Sequence, residues 1–178
     1  LLLDLIRRVK PNHSDMSRET IFAIMETLKY QMDSCVQQIG LNITPWLAED
    51  DTCRQILKEA GGIDSFPLSM TYHPTDFLIL CNASAALCWL VHSGEYNLAL
   101  FQTRYLATIL DTIQANHDQA AIFGNCVCIL CGLADLPDSP DLVRMVRMGM
   151  QIHIGSVKVQ ESCLRWIRFR DPALCGDE

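Results

Sequence analysis

Val36–Leu47 reads VQQIGLNITPWL, Ile79–Leu90 reads ILCNASAALCWL, and Ile122–Leu133 reads IFGNCVCILCGL. The three stretches begin 43 residues apart and repeat one pattern of small and apolar residues. At the first, fifth, eighth and twelfth places stand Val36, Gly40, Ile43 and Leu47, then Ile79, Ala83, Ala86 and Leu90, then Ile122, Cys126, Ile129 and Leu133. That spacing keeps one face of a helix apolar. A fixed period of this length predicts a solenoid, in which each unit buries its apolar face only by stacking on its neighbours.

The rest of the chain is compatible with helices throughout. Ile21, Ile24, Met25, Leu28 and Met32 give one helical face, Leu106, Ile109, Leu110 and Ile113 another, and Leu142, Met145, Val146 and Ile152 a third. No Asn-Gly or Asp-Gly turn and no strict alternation of apolar and polar residues predicts a hairpin. Breakers fall between the periodic segments at Pro11-Asn12, Gly61-Gly62, His73-Pro74-Thr75, Ser93-Gly94, Asn116-His117-Asp118 and Pro137–Pro140. Asp76, Asp118 and Ser156 stand where a side chain caps the free amides of a following helix.

These boundaries predict helices over Ser17–Met32, Asp51–Ala60, Ile63–Met70 and Val157–Arg170. Two further helices are expected at Ser139–Val143 and Arg144–His153, with a turn at Ile154–Ser156. Each full unit then has three helices, and the three repeated stretches are third helices.

Composition bounds the function classes. With 178 residues the chain can bury a sizeable core. The 49% hydrophobic content is high, but Ala, Leu, Ile, Met and Cys supply most of it, as helical cores require. Phe77–His92 is the stretch nearest to a membrane span; it contains Asn82 and Ser84 and falls short of the roughly 20 residues a spanning helix needs. Leu1–Lys10 has Asp4 within its apolar run and its basic residues after that run, the reverse of a signal sequence. Nine cysteines, an odd number placed mostly at helical core positions, predict buried reduced thiols and a cytoplasmic location. Net charge is −7, divided as −9 over residues 1–142 and +2 over 143–178. An acidic body argues against nucleic-acid binding, while the basic end suits an acidic partner.

Ile56–Phe66 (ILKEAGGIDSF) and Val159–Ile167 (VQESCLRWI) resemble the armadillo repeat. Val36-Gln37 and Val159-Gln160 are similar to the Val-Gln pair that opens that repeat's third helix. The resemblance spans about residues 17–170. It implies an all-α, right-handed superhelical solenoid of armadillo-like three-helix repeats. The expected division is a partial repeat over 1–32, repeats over 33–74, 75–118 and 119–156, a partial repeat over 157–170, and a polar tail over 171–178. Both end repeats read as incomplete. Leu1–Lys10 reads as the tail of a preceding third helix, whose Leu1, Leu2, Leu3 and Leu5 need covering by more chain or another subunit.

In the resembled family, the fourth, seventh and eleventh places of the third helix line the concave face. Here they hold Ile39, Asn42 and Trp46; Asn82, Ala85 and Trp89; Asn125, Cys128 and Gly132; and Ser162, Arg165 and Phe169. In importin-alpha, a member of that family, the seventh place is typically Trp and the eleventh Asn, and together they clamp basic peptides. This chain has Trp46, Trp89 and Phe169 at the eleventh place and Asn42, Ala85, Cys128 and Arg165 at the seventh, so binding of nuclear-localisation peptides is not expected. The expected partner-binding residues are Asn42, Trp46, Asn82, Trp89, Asn125, Arg165 and Phe169. Aromatic residues at repeat spacing also pack between neighbouring repeats, and Asn also bonds its own helix, so both roles stand open.

Chemistry finds little footing. Cys126, Cys128 and Cys131 point in different directions from one helix, with no second ligand pair nearby in sequence, so no metal site is expected. His73 and His117 occupy similar turns before third helices and read as structural. Glu49-Asp50-Asp51 reads as a charged helix start. No phosphate loop, dinucleotide fingerprint or nucleophile elbow occurs. The expectation is a non-enzymatic protein-interaction module without cofactor, taking a partner peptide or domain on its concave face. The alternatives are a scaffold segment or assembly subunit stacking through apolar ends, and a regulatory segment of a larger kinase or ubiquitin ligase.

Overall fold

The computed structural model describes residues 13, 16–92, 98–133, 136 and 139–170. The expectations for Leu1–Lys10, the Ser93-Gly94 break, Pro137 and the tail over 171–178 lie outside those residues. Among the described residues every regular element is a helix, and none is long and apolar enough to cross a membrane. The chain divides into two compact units, Leu1–Ser93 and Gly94–Glu178.

The first unit contains α1 (Arg18–Tyr30), α2 (Ser34–Leu41), α3 (Thr44–Glu49), α4 (Asp51–Glu59), α5 (Gly62–Tyr72) and α6 (Phe77–His92). Its helix starts follow the chemistry of the sequence. Ser17 Oγ accepts from the Thr20 amide, Asp33 from Cys35 and Val36, Asp50 from Cys53, and Asp76 from Leu78 and Ile79. Each carboxylate or hydroxyl satisfies amides that the helix itself leaves open. Gly61 takes φ 85° between α4 and α5, a left-handed conformation that permits the sharp reversal expected from the Gly61-Gly62 pair. Helix α6 packs on α5, α3 and α2, and α1 packs on α2, α4 and α5.

The first repeated stretch differs from expectation. Val36–Leu47 is two helices, because α2 ends at Leu41 and α3 begins at Thr44. Pro45 has no amide to donate, and a helical ring there collides with the carbonyl four residues back, that of Leu41. Thr44 Oγ1 donates to that Leu41 carbonyl at 3.0 Å in its place.

The second unit contains α7 (Leu98–Ala115), α8 (Ala120–Cys131), α9 (Pro140–Ile152) and α10 (Val157–Arg170). Helix α10 lies along α8, with α7 packed on α8 and α9 on α10. Ser156 Oγ accepts from Val159, as expected, whereas α8 starts one residue late with Gln119 at its cap and no side-chain bond from Asp118. The two short helices expected over 139–153 are one helix, since Ser139 caps Pro140 at the first turn and nothing interrupts the chain before His153. Proline is tolerated there because a first-turn amide has no helical partner to lose. Gly149 marks the closest approach in this unit: a Cβ at that position would fall inside the ring of Phe123.

The 43-residue pattern defines the core. Of its twelve places, all but Val36 are buried, and Val36 is half-buried. The Val-Gln pairs acquire a physical role as well. Gln37 is fully buried, and its Nε2 donates to the carbonyls of Leu28 and Gln31 at 2.7 Å each, at the end of α1. Its Oε1 accepts from Ser69 Oγ at 2.7 Å. Gln160 Nε2 repeats the arrangement, donating to Met150 O at 2.8 Å and His153 O at 3.1 Å at the end of α9. In both units the glutamine of the Val-Gln pair satisfies the terminal carbonyls of the helix before it.

Candidate functional site

The candidate residues of the first unit sit on the flank of α2, α3 and α6, beside the buried core places. Asn42 is exposed at the C-terminal cap of α2. Asn82 is half-buried on α6. Trp46 is half-buried on α3, and one face of its indole is covered by His13, stacked at 4.1 Å between ring centroids and 16° between planes. His13 Nε2 donates to Trp46 O at 2.9 Å, and the Cys53 thiol donates to His13 O at 3.8 Å. The packing role left open for Trp46 is thereby partly filled by the chain itself.

Trp89, one repeat further on, remains 44% exposed. The Arg54 guanidinium lies 5.5 Å from the centre of its indole. Arg54 is held from α4 by an ion pair with Asp51. A guanidinium over an indole is attracted by the ring's negative face, so the two side chains fix each other's orientation. Arg54 was not legible as a site residue. It sits 35 positions before Trp89 on a different helix, and only the packing of the first unit brings them together.

In the second unit Arg165 and Phe169 are exposed on α10, Phe169 at 54%. Asn125 is corrected by its burial: at 1% exposure it stands inside the molecule and offers no surface to a partner. Its helix, α8, is buried on most sides, and the other two flank places, Cys128 and Gly132, are half-buried. Ile152 is also corrected. It was expected on the core face with Leu142 and Val146, yet it is 48% exposed, because at about 100° per residue it falls at the edge of the face that Gly149 and His153 keep buried.

The electrostatics do not favour covalent chemistry at the buried cysteines. Burial pushes the Cys53 thiol up to about 11, with Asp50 adding to the effect. Burial likewise pushes Cys131 and Cys163 each to about 12. Thiols in that range carry almost no thiolate at neutral pH, and the thiolate is the nucleophile and the metal ligand. Cys126 occupies its core place at zero exposure, and the Cys131 thiol donates to Ser162 O at 3.5 Å. Asp50 is held below its usual range, first by the Cys53 amide that it caps, which bears out the reading of the acidic cluster as a helix start. His117 O accepts from His153 Nε2 at 2.7 Å, so both histidines hold the turn between helices in the second unit.

No protein-family model, no curated protein and no solved structure matches this chain.

Proposed function

We propose that this chain is a non-enzymatic protein-interaction module of the armadillo-like solenoid type. Its partner segment docks on the third-helix flank of the first unit, centred on Trp89 and Arg54. The supporting observation is a contrast within one helix. On α6 all four core places are fully buried, while Trp89 is nearly half exposed with a guanidinium against its ring. Trp and Arg are the residues that dominate binding energy at protein interfaces, because each offers a large area and a directed polar group. Asn42 and Asn82 flank the same helices and supply amide groups for a partner's backbone. The burial of Cys53, Cys126 and Cys163 as thiols fits a cytoplasmic location.

The test is selection of a random peptide library against the full chain, followed by affinity measurement on the enriched peptides. Peptides with an aromatic or long apolar residue are expected, and Trp89→Ala is expected to weaken them while barely moving the melting temperature. A Trp89→Ala chain that melts lower yet binds with unchanged affinity would refute the placement.

A second reading, an assembly subunit, draws support from Ile154 and Val157, which are 82% and 71% exposed in the second unit. Light scattering against concentration separates the two, since growth of the particle with concentration favours assembly.

A further inference from the structure

A second surface lies outside the site proposed above, on the exposed side of α9. Pro140, Val143, Arg144, Arg147, Met148 and Gln151 line an open groove of about 390 Å³ there. The six residues recur at three- and four-residue intervals, so they form one stripe along the helix. Met148 is 50% exposed within it, and Ile152 continues it at 48%. Apolar side chains left in water on a helix whose opposite face is well buried mark a face with room for a partner.

Charge selects the kind of partner. Residues 139–170 carry six basic and two acidic side chains, whereas residues 16–92 carry four basic and nine acidic ones. Arg144 makes only a loose contact with Asp141 at 3.7 Å, with both side chains largely in solvent. Such a pair contributes little and is readily exchanged. Arg147 has no ion pair or hydrogen bond among the described residues. Two available guanidinium groups therefore border exposed thioether and aliphatic surface. Carboxylates match guanidinium geometry through paired hydrogen bonds, and the methionine adapts to apolar side chains of varied shape.

We propose that the exposed stripe of α9 binds an acidic amphipathic segment of another protein, whose carboxylates pair with Arg144 and Arg147 and whose apolar side chains cover Met148 and Val143. This surface is independent of Trp89, so either proposal can fail alone. A nucleic acid or an anionic membrane is the weaker match. The stripe carries only two basic groups, few for the extended phosphate contacts of a nucleic acid or a bilayer, and the apolar Val143 and Met148 beside them suit protein side chains.

The experiment uses the full chain and a fluorescent synthetic helix with leucines on one face and glutamates along its edges. The expected result is saturable anisotropy in the micromolar range, weakening with added salt. Arg147→Glu is expected to weaken binding about tenfold, and Met148→Gln several-fold. Both positions are exposed, and an unchanged melting curve checks that each variant folds. Should Arg147→Glu fail to fold, Met148→Gln carries the test. The proposal is overturned by equal binding of the same helix with lysine in place of glutamate, or by affinity unaffected in both variants. It is equally overturned if the chain ignores the acidic helix but binds vesicles of anionic lipid or an oligonucleotide through Arg147. Self-association that disappears in Arg147→Glu, with no peptide binding, assigns the face to a second copy and likewise overturns it.

Discussion

Replacing Gln37 by leucine tests whether the buried glutamine is what ties the end of α1 to α2. The side chain is fully buried and makes three hydrogen bonds of 2.7 Å, two as donor to Leu28 O and Gln31 O and one as acceptor from Ser69 Oγ. Leucine has nearly the same volume and none of these bonds. Ser69 Oγ keeps a partner, since it also donates to Ser65 O at 3.0 Å. The two carbonyls at the end of α1 lose this donor. Leaving the buried Leu28 carbonyl unsatisfied costs about 1–3 kcal/mol, and losing the bond to the part-buried Gln31 carbonyl, where water can take the donor's place, costs about 1 kcal/mol more. The added apolar burial of leucine returns about 1 kcal/mol. A net loss of about 1–3 kcal/mol is expected, a sizeable share of the roughly 5–15 kcal/mol that holds a domain folded.

The matched change at Gln160 provides the control within the same molecule. Gln160 makes the same kind of clamp at 2.8 and 3.1 Å but is only half-buried, so water can replace it at Met150 O and His153 O. Its loss is expected to cost about 1 kcal/mol. Urea titration followed by circular dichroism gives both values. Fluorescence separates the units, because Trp46 and Trp89 report on the first and Trp166 on the second. Two units need not unfold together, so the two probes are fitted separately. The reasoning is refuted if Gln37→Leu costs no more than Gln160→Leu, or if it shifts only the Trp166 transition.

Gly149→Ala is expected to destabilise the second unit by about 1–3 kcal/mol, since the new methyl meets the buried ring of Phe123, whereas Gly155→Ala meets open space and is expected to be near neutral; chemical denaturation of the two variants checks the contrast. Asp50→Ala is expected to cost about 1 kcal/mol at neutral pH by removing the cap of α4. The Asp50 carboxyl is held below its ordinary value when folded, so its contribution is present above the unfolded value of about 3.9 and disappears as pH falls through the folded one. The stability difference between wild type and Asp50→Ala, measured across that range, is expected to shrink on acidification. In a timed alkylation at neutral pH read by mass spectrometry, exposed Cys35 is expected to react first, and Cys53, Cys131 and Cys163 only after unfolding. Early modification of Cys163 would contradict its burial.

The legible parts of the fold were those governed by local chemistry. Asp76 and Ser156 cap helices as their positions indicated, while Asp118 does not, and Gly61 turns the chain where a residue without a side chain was required. The split at Thr44-Pro45 was written in the sequence too, but the even spacing of Val36, Gly40, Ile43 and Leu47 masked it, because the apolar face survives a one-turn break. The candidate site was less legible. Spacing placed Trp46, Trp89 and Asn125 on similar flanks, yet His13 covers Trp46, Arg54 supports Trp89, and Asn125 is interior.

The sequence by itself determined which face of each repeated stretch is buried, because spacing at the first, fifth, eighth and twelfth places sets those side chains within about 60° of one another on a helix, whatever lies opposite. It also determined where the helices capped by Asp76 and Ser156 begin, since a cap acts on amides only two or three residues away. Only the tertiary structure decided which flank residues remain in contact with water. Exposure depends on what other segments bring to that flank: His13 from before α1, Arg54 from α4, and for Asn125 enough surrounding protein to exclude solvent altogether. Those neighbours lie tens of residues away, and no periodicity within one helix records them.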